Sequence, residues 1–325
     1  ARLAELPNVT FLPGIATTGL HGGTRYIDGQ FDDARLAVAL AQTAAAKGAT
    51  LLNYCPVVAL CKQNGRVSGA VLRDAETGAD FTVTARVVIN ATGPFCDEVR
   101  RLDDPQAVPL ITPSQGTHLV LPRRFLPGDS ALLVPHTADG RVIFIIPWLD
   151  RVLVGTTDIP VTQATPEPQP QAAEIDFLLA TAKRYLAKPV GRDDILSIFA
   201  GIRPLVSGQG ATAGLSREHT LLVDPNSGLL SVAGGKWTTY RRMAEQAVDL
   251  AQRLGQLPAE PCPTANLPIC AASAPEPSPP LHPGLPLTAG EIRFRGRRID
   301  GLASRDIARE GIARTFQHVN LIPAM

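Results

Sequence analysis

The sequence predicts an α+β fold, with helices and strands in a mixed α/β arrangement of two domains. Apolar runs of strand length recur between residues 57 and 233. Residues 31–47 and 172–186 have the length and pattern of helices, and one strand leads through two glycines into a third helix near residue 236. With 325 residues, the chain is long enough for two hydrophobic cores. The net charge of +1 and five cysteines without a CxxC pair lead us to expect neither a nucleic-acid partner nor a metal site.

The first elements are predicted as a helix and a group of strands. Residues 31–47 are expected to form the helix, because Asp32 and Asp33 suit its first turn and Gly48 can end it. Antiparallel strands follow at residues 57–60, 67–72 and 81–84, separated by the turns Asn64-Gly65 and Thr77-Gly78. Residues 86–90 are a continuous apolar run, typical of a strand buried on both faces.

A second sheet is predicted in the middle of the chain, and the first domain is expected to resume after it. The predicted elements are strands at residues 117–121, 142–147, 152–156, 195–200, 220–223 and 229–233, and helices at 172–186 and 238–254. Residues 271–287 are rich in proline and lack periodicity, which indicates a linker or a disordered segment.

Three sets of residues could carry chemistry. The strand that ends in NATG (90–93) and the strand that ends in GGK (234–236) would let backbone approach a ligand, although ordinary turns have the same composition. Arg203 and Arg217 could bind phosphate, but single arginines are often in surface ion pairs. His118 lies in a strand pattern, where a histidine is often a hydrogen-bonded core residue.

Five motifs in order resemble the FAD-dependent glycerol-3-phosphate dehydrogenases of the aerobic, mitochondrial type. They are YIDGQFDDAR (26–35), NATGP (90–94), GTTD (155–158), GIRPL (201–205) and GKWTTYR (235–241). The resemblance implies an FAD-binding domain of the glutathione-reductase/D-amino-acid-oxidase type and an antiparallel substrate-capping sheet. By motif position, we expect the FAD-binding domain at residues 1–107 and 204–270, the capping domain at 108–203 and the linker at 271–289.

The resemblance also implies an activity and its residues. Members oxidise sn-glycerol 3-phosphate to dihydroxyacetone phosphate, reduce FAD, and pass electrons to quinone as peripheral proteins on the cytoplasmic, inner face of the cell membrane. His118 would be the base, and Lys236 would lie near flavin and substrate, with Arg203 and Arg217 on the phosphate. The residues that would line FAD are Ala91, Thr92, Gly93, Gly234, Gly235, Thr238 and Thr239.

The sequence departs from that family in two places. It carries no GxGxxG loop for the FAD pyrophosphate, so we expect the polypeptide alone to bind FAD weakly or not at all. Residues 290–325 instead resemble a fragment of the ATP-binding subunit of branched-chain amino acid ABC transporters, with Gln317 at the Q-loop position. Alternatives are therefore an inactive remnant or fusion, a partner of such an ATPase, or another FAD-dependent hydroxy- or amino-acid oxidoreductase.

Overall fold

The computed structural model describes most of the chain in two compact units, divided at residues 26/27, 55/56, 260/261 and 318/319. The described residues are 12–20, 23, 25, 27–134, 137, 141–207 and 219–270, together with the backbone of three two-residue strands at 293–294, 297–298 and 322–323. Arg217, the predicted linker and nearly all of the ABC-ATPase-like segment lie outside these residues. The predicted domain boundaries and the nature of the tail stay predictions.

The smaller unit contains the first helix, α1 (Asp33–Ala46). The Asp32 carboxylate accepts a hydrogen bond from the backbone N–H of Arg35 at 2.9 Å, and Gly48 has the positive φ (+92°) that suits the residue after a helix. The prediction of this helix is confirmed.

The larger unit contains a three-stranded antiparallel meander. Its strands are β1 (Val57–Gln63), β2 (Arg66–Arg73) and β3 (Asp80–Thr84). Asn64 and Gly65 both have positive φ, which is the geometry of a two-residue hairpin turn, so the predicted turn is confirmed.

The next sheet contains one parallel pair of strands. Its strands are β4 (Ile89–Asn90), β11 (His219–Val223) and β12 (Leu230–Gly234), in the order β11-β12-β4, with helix α2 (Cys96–Asp103) after β4 and helix α4 (Tyr240–Leu254) after β12. The prediction of a doubly buried strand at 86–90 is wrong. Only two residues pair, and Ile89 is 39% exposed, because β4 has a neighbouring strand on one side only within the described residues.

The largest sheet is antiparallel and has seven strands. They are β5 (Ile111–Pro122), β6 (Leu132–Val134), β7 (Ile143–Trp148), β8 (Arg151–Gly155), β9 (Ile159–Pro160), β10 (Ser197–Val206) and β15 (Ile322–Pro323). The remaining short strands, β13 (Arg293–Phe294) and β14 (Arg297–Arg298), pair with each other. Strand β10 continues across residue 203, where the sequence analysis placed a domain boundary.

The hydrophobic core lies between one face of this sheet and helix α3 (Ala172–Tyr185). Leu119 and Leu121 of β5, Val154 of β8, and Leu178 of α3 are all fully buried there. Since side chains alternate between the faces of a strand, the residues between these positions project to the opposite face. The mixed α+β fold is confirmed, and the other face of the same sheet carries the candidate site.

Candidate active site

The register of β5 against β10 brings distant residues onto one sheet face. His118 pairs with Phe199, Gly116 with Gly201, and Ser114 with Arg203. Directly opposed residues of an antiparallel pair project to the same side, and so does every second residue of a strand. His118 and Arg203, which are 85 positions apart in sequence (203 − 118), therefore share one face.

Arg203 is fixed on this face by contacts from the chain that follows β8. Its Nη1 donates to the backbone oxygen of Thr157 and its Nη2 to the hydroxyl of Thr156, both at 3.0 Å. The Asp158 carboxylate lies 3.6 Å from Nη1 and accepts a hydrogen bond from the buried Ser114 hydroxyl. With 31% of its side chain exposed, Arg203 is held in one orientation while its charge still reaches solvent.

Glycines leave room for these two side chains. A Cβ atom on Gly116 would lie 2.5 Å from Arg203 Nη2, and one on Gly155 would overlap the His118 ring. The guanidinium therefore lies across the backbone of β5, and the imidazole across that of β8. Gly201, by contrast, is exposed, and among the described residues no atom lies within 4 Å of its Cβ position.

His118 is held as a neutral imidazole. Its ring stacks on that of Phe199, with 4.8 Å between centroids and 10° between planes. Nδ1 is shielded from solvent and has no hydrogen-bond partner among the described residues. Burial, with a smaller contribution from the nearby charge of Arg203, lowers the pKa of His118 to about 4. At neutral pH this ring can therefore accept a proton.

A buried carboxylate supports the site from beneath the sheet. Glu174 of α3 is 1% exposed, and it accepts hydrogen bonds from the Thr157 hydroxyl at 2.5 Å and from Gln115 Nε2 at 2.7 Å. The Thr157 hydroxyl also accepts from the backbone N–H of Thr117 at 2.8 Å. Because the backbone oxygen of Thr157 holds Arg203, Glu174 stabilises the segment on which the arginine depends.

A second cluster lies where the parallel strands β4 and β12 end. Parallel strands place their carboxyl ends at one sheet edge, so the turn after Asn90 and the turn after Gly234 emerge together. Asn90 is buried, and its Nδ2 donates to the Cys96 backbone oxygen at 2.9 Å and to the Ser231 hydroxyl at 3.3 Å. The Thr92 hydroxyl donates to Asn90 Oδ1 at 2.7 Å, which fixes the first turn.

Both turns expose backbone and polar side chains. Gly93, Gly234 and Gly235 all have positive φ, which favours glycine, and a Cβ on Gly93 would meet no atom of the described chain within 4 Å. The exposed side chains at this edge are those of Ala91, Thr92, Lys236, Thr238 and Thr239. Trp237 Nε1 is shielded from solvent without a hydrogen-bond partner among the described residues.

The two clusters are neighbours within the larger unit. Strand β10 contacts both β12 and the short 3-10 helix Gly93–Phe95. The structure thus brings together the predicted residues of each cluster. Arg217 lies outside the described residues, so its predicted role is untested. Sequence reasoning missed Gly116, Gly201 and Glu174, whose positions depend on the strand register and on helix packing.

A parallel strand pair ending in glycine turns, next to an antiparallel sheet that carries an arginine and a neutral histidine, is the arrangement of a two-domain flavin-dependent oxidoreductase. Comparison with protein families agrees, because the FAD-dependent oxidoreductase family matches residues 4–241. The chain belongs to this family.

The similarity extends to particular relatives. The chain is 44% identical over 280 residues to the mitochondrial glycerol-3-phosphate dehydrogenase of Arabidopsis thaliana, covering 83% of this chain and 44% of that protein. It is 44% identical over 265 residues to the mitochondrial enzyme of Mus musculus, covering 78% and 36%. The structure of the Bacillus halodurans glycerol-3-phosphate dehydrogenase complexed with FAD superposes with a TM-score of 0.69 and 32% identity, covering 77% of this chain and 48% of that one.

These comparisons confirm the resemblance that the five motifs indicated. The chain spans less than half the length of each of these three relatives. FAD is the cofactor of the family, and the edge formed by the two glycine turns fits part of it. The open backbone at Gly93 and the exposed hydroxyls of Thr238 and Thr239 can meet a polar, planar group.

Proposed function

We propose that this chain oxidises sn-glycerol 3-phosphate to dihydroxyacetone phosphate. The observation that carries the proposal is the common sheet face of Arg203 and His118, a fixed cation and a neutral base. The names of the relatives support the substrate, since they are glycerol-3-phosphate dehydrogenases. FAD, when bound, supplies the two-electron acceptor that this oxidation needs.

Arg203 has the chemistry to bind the substrate phosphate. A guanidinium matches a phosphate monoester with two parallel N–H donors, and its contacts to Thr156 and Thr157 fix its orientation before the substrate arrives. Holding the phosphate at a fixed point also orients the rest of this short molecule. The binding energy of the phosphate is thereby used to position the carbon that reacts. Arg217 would add a second guanidinium to the same phosphate.

His118 would take the proton of the C2 hydroxyl. Its neutral form is the competent one at pH 7, because burial and Arg203 disfavour the imidazolium. A bound phosphate dianion would compensate the charge of Arg203 and thereby remove one of the two causes that lower the pKa of His118. The base would therefore become stronger when the substrate is in place.

Residues at the ends of β4 and β12 would hold FAD. Ala91, Thr92 and Gly93 would contact it on one side, and Gly234, Gly235, Thr238 and Thr239 on the other. Lys236 has an exposed ammonium on the second turn, where it would offset negative charge on the reduced ring or on the substrate.

We further propose that the electrons go to a quinone and that the protein works on the cytoplasmic side of the cell membrane, bound peripherally. The resemblance to the aerobic dehydrogenases supports both statements. In the described part of the chain, no helix has the length and apolar character needed to cross a membrane. Reduction of a soluble quinone analogue, together with sedimentation with vesicles of bacterial lipids, tests the two statements separately.

Turnover of the FAD-loaded protein with a dye as electron acceptor tests the activity. We expect dihydroxyacetone phosphate from sn-glycerol 3-phosphate and no product from glycerol. Arg203→Lys should raise KM, since one ammonium cannot replace the two parallel N–H donors of the guanidinium. His118→Gln should lower kcat by about 10²–10⁴. Arg192→Lys, at an exposed ion pair with Asp176, is the control. Equal rates with glycerol would refute the proposal.

A further inference from the structure

We propose that Gly201 determines the size of the ligand that the site admits. The space left by its missing side chain would take the three-carbon backbone of a short phosphorylated polyol, between Arg203 and His118. This inference rests on the proposed function and assigns the specificity of the same site to one further residue.

The exposure pattern of β10 indicates where the space lies. On the site face of this strand, Ser197 and Leu205 are buried at the two ends, and Phe199 and Arg203 are half-buried. Only Gly201, in the middle of that row, is exposed. The middle of this row therefore lacks a side chain, between the positions of Phe199 and Arg203.

The neighbouring glycines show why Gly201 differs from them. The space above Gly116 is filled by the Arg203 guanidinium, and that above Gly155 by the His118 ring. These two glycines serve the packing of the protein's own side chains. Above Gly201 no atom of the described residues lies within 4 Å of the Cβ position, so its space is open to a ligand in this part of the chain.

Gly201 lies on the neighbouring strand, beside the interval between the two functional groups. Gly201 is paired with Gly116, over which the guanidinium lies, and this pair is two residues from the His118–Phe199 pair. Two residues of a strand span about 7 Å, which suits a chain of three carbons but not a long ligand. A side chain at position 201 would project into this interval.

Folding does not require a glycine at this position. The φ angle of Gly201 is outside the left-handed region, so any residue can adopt it, and a Cβ there would clash with none of the described residues. Glycine in a strand interior is less stable than alanine, because it loses more conformational freedom on folding. Its presence is therefore better explained by the ligand than by the fold.

The test compares binding and stability in Gly201→Ala and Gly201→Val. Calorimetric titration with sn-glycerol 3-phosphate should give a Kd at least tenfold higher for the alanine variant and no measurable binding for the valine variant. The Kd for inorganic phosphate, which needs only the guanidinium of Arg203, should change less than threefold in both variants. Tm should stay at or above that of the unmodified chain. Gly191→Ala is the control, because Gly191 also has ordinary φ and room for a methyl group.

The outcomes separate this inference from the proposed function. If the unmodified chain binds sn-glycerol 3-phosphate and Gly201→Val binds it equally well, the role of Gly201 is refuted while the function stands. A valine variant that loses sn-glycerol 3-phosphate and inorganic phosphate to the same degree also refutes it, since the damage is then not selective. An unmodified chain that binds neither compound overturns the proposed function, and this inference with it.

Discussion

Replacing Glu174 tests whether the buried carboxylate supports the segment that orients Arg203. In Glu174→Leu the volume is nearly kept, but the Thr157 hydroxyl loses its acceptor and Gln115 Nε2 loses one of its two acceptors, keeping only the backbone oxygen of Gln169, in a buried place. A buried donor left unsatisfied costs about 1–3 kcal/mol, so the two together should lower the free energy of unfolding by about 2–6 kcal/mol. The third donor, the backbone N–H of Gln171, is close enough to solvent to find water.

Glu174→Gln should cost less, about 1–3 kcal/mol, because the amide keeps one acceptor oxygen but turns an NH₂ group towards a donor. Urea denaturation followed by circular dichroism measures both variants. Asp176→Asn is the matched control on the same helix. Its carboxylate is 63% exposed, so the change should stay below about 1 kcal/mol. If the free energy of unfolding of Glu174→Leu lies within 1 kcal/mol of that of the unmodified chain, the reasoning about the buried network is wrong.

Two further predictions concern His118 and Asn90. Because folding lowers the pKa of His118 from 6.5 to about 4, the unfolded chain binds the proton first as pH falls. This residue therefore destabilises the protein progressively between about pH 6.5 and 4, by up to roughly 3 kcal/mol. His118→Gln should remove that part of the acid sensitivity in denaturation curves recorded at several pH values, and identical pH dependence would contradict the assignment. Asn90→Leu should lower the free energy of unfolding by about 2–4 kcal/mol, since it removes the hydrogen bonds to Cys96, Ser231 and Thr92. Asn226→Ala, in an exposed turn, serves as its control. Equal thermal stability of the two variants would argue against a structural role of Asn90.

Local signals in the sequence were sufficient for much of the fold. The acids before α1, the Asn64-Gly65 turn and the alternating runs of the meander act over a few residues, and the structure follows them. Helix α2 was not predicted, because it has only eight residues, most of them charged, and its apolar residues Cys96, Val99 and Leu102 repeat over only about two turns. The run at 86–90 was wrongly predicted as doubly buried, because apolar composition does not reveal how many neighbours a strand has.

The site shows the same limit. His118 and Arg203 were predicted one by one from motifs, but their common face follows from a register between strands far apart in sequence. Glu174 looks in sequence like an ordinary acid in a first helical turn, and only the packing of α3 under the sheet buries it. Gly201 resembles Gly116 in sequence, and the difference between a filled and an open space above them exists only in three dimensions.

The central claim is that Arg203 recognises the phosphate of the substrate, and the most direct measurement is the contribution of that phosphate to binding. Calorimetric affinities for sn-glycerol 3-phosphate and glycerol should differ by a large factor in the unmodified chain. In Arg203→Ala the difference in binding free energy between the two compounds should shrink by about 2–5 kcal/mol, as expected when a pair of charge-assisted hydrogen bonds is removed. If the preference for the phosphorylated compound is the same in both proteins, the phosphate binds elsewhere and the account fails.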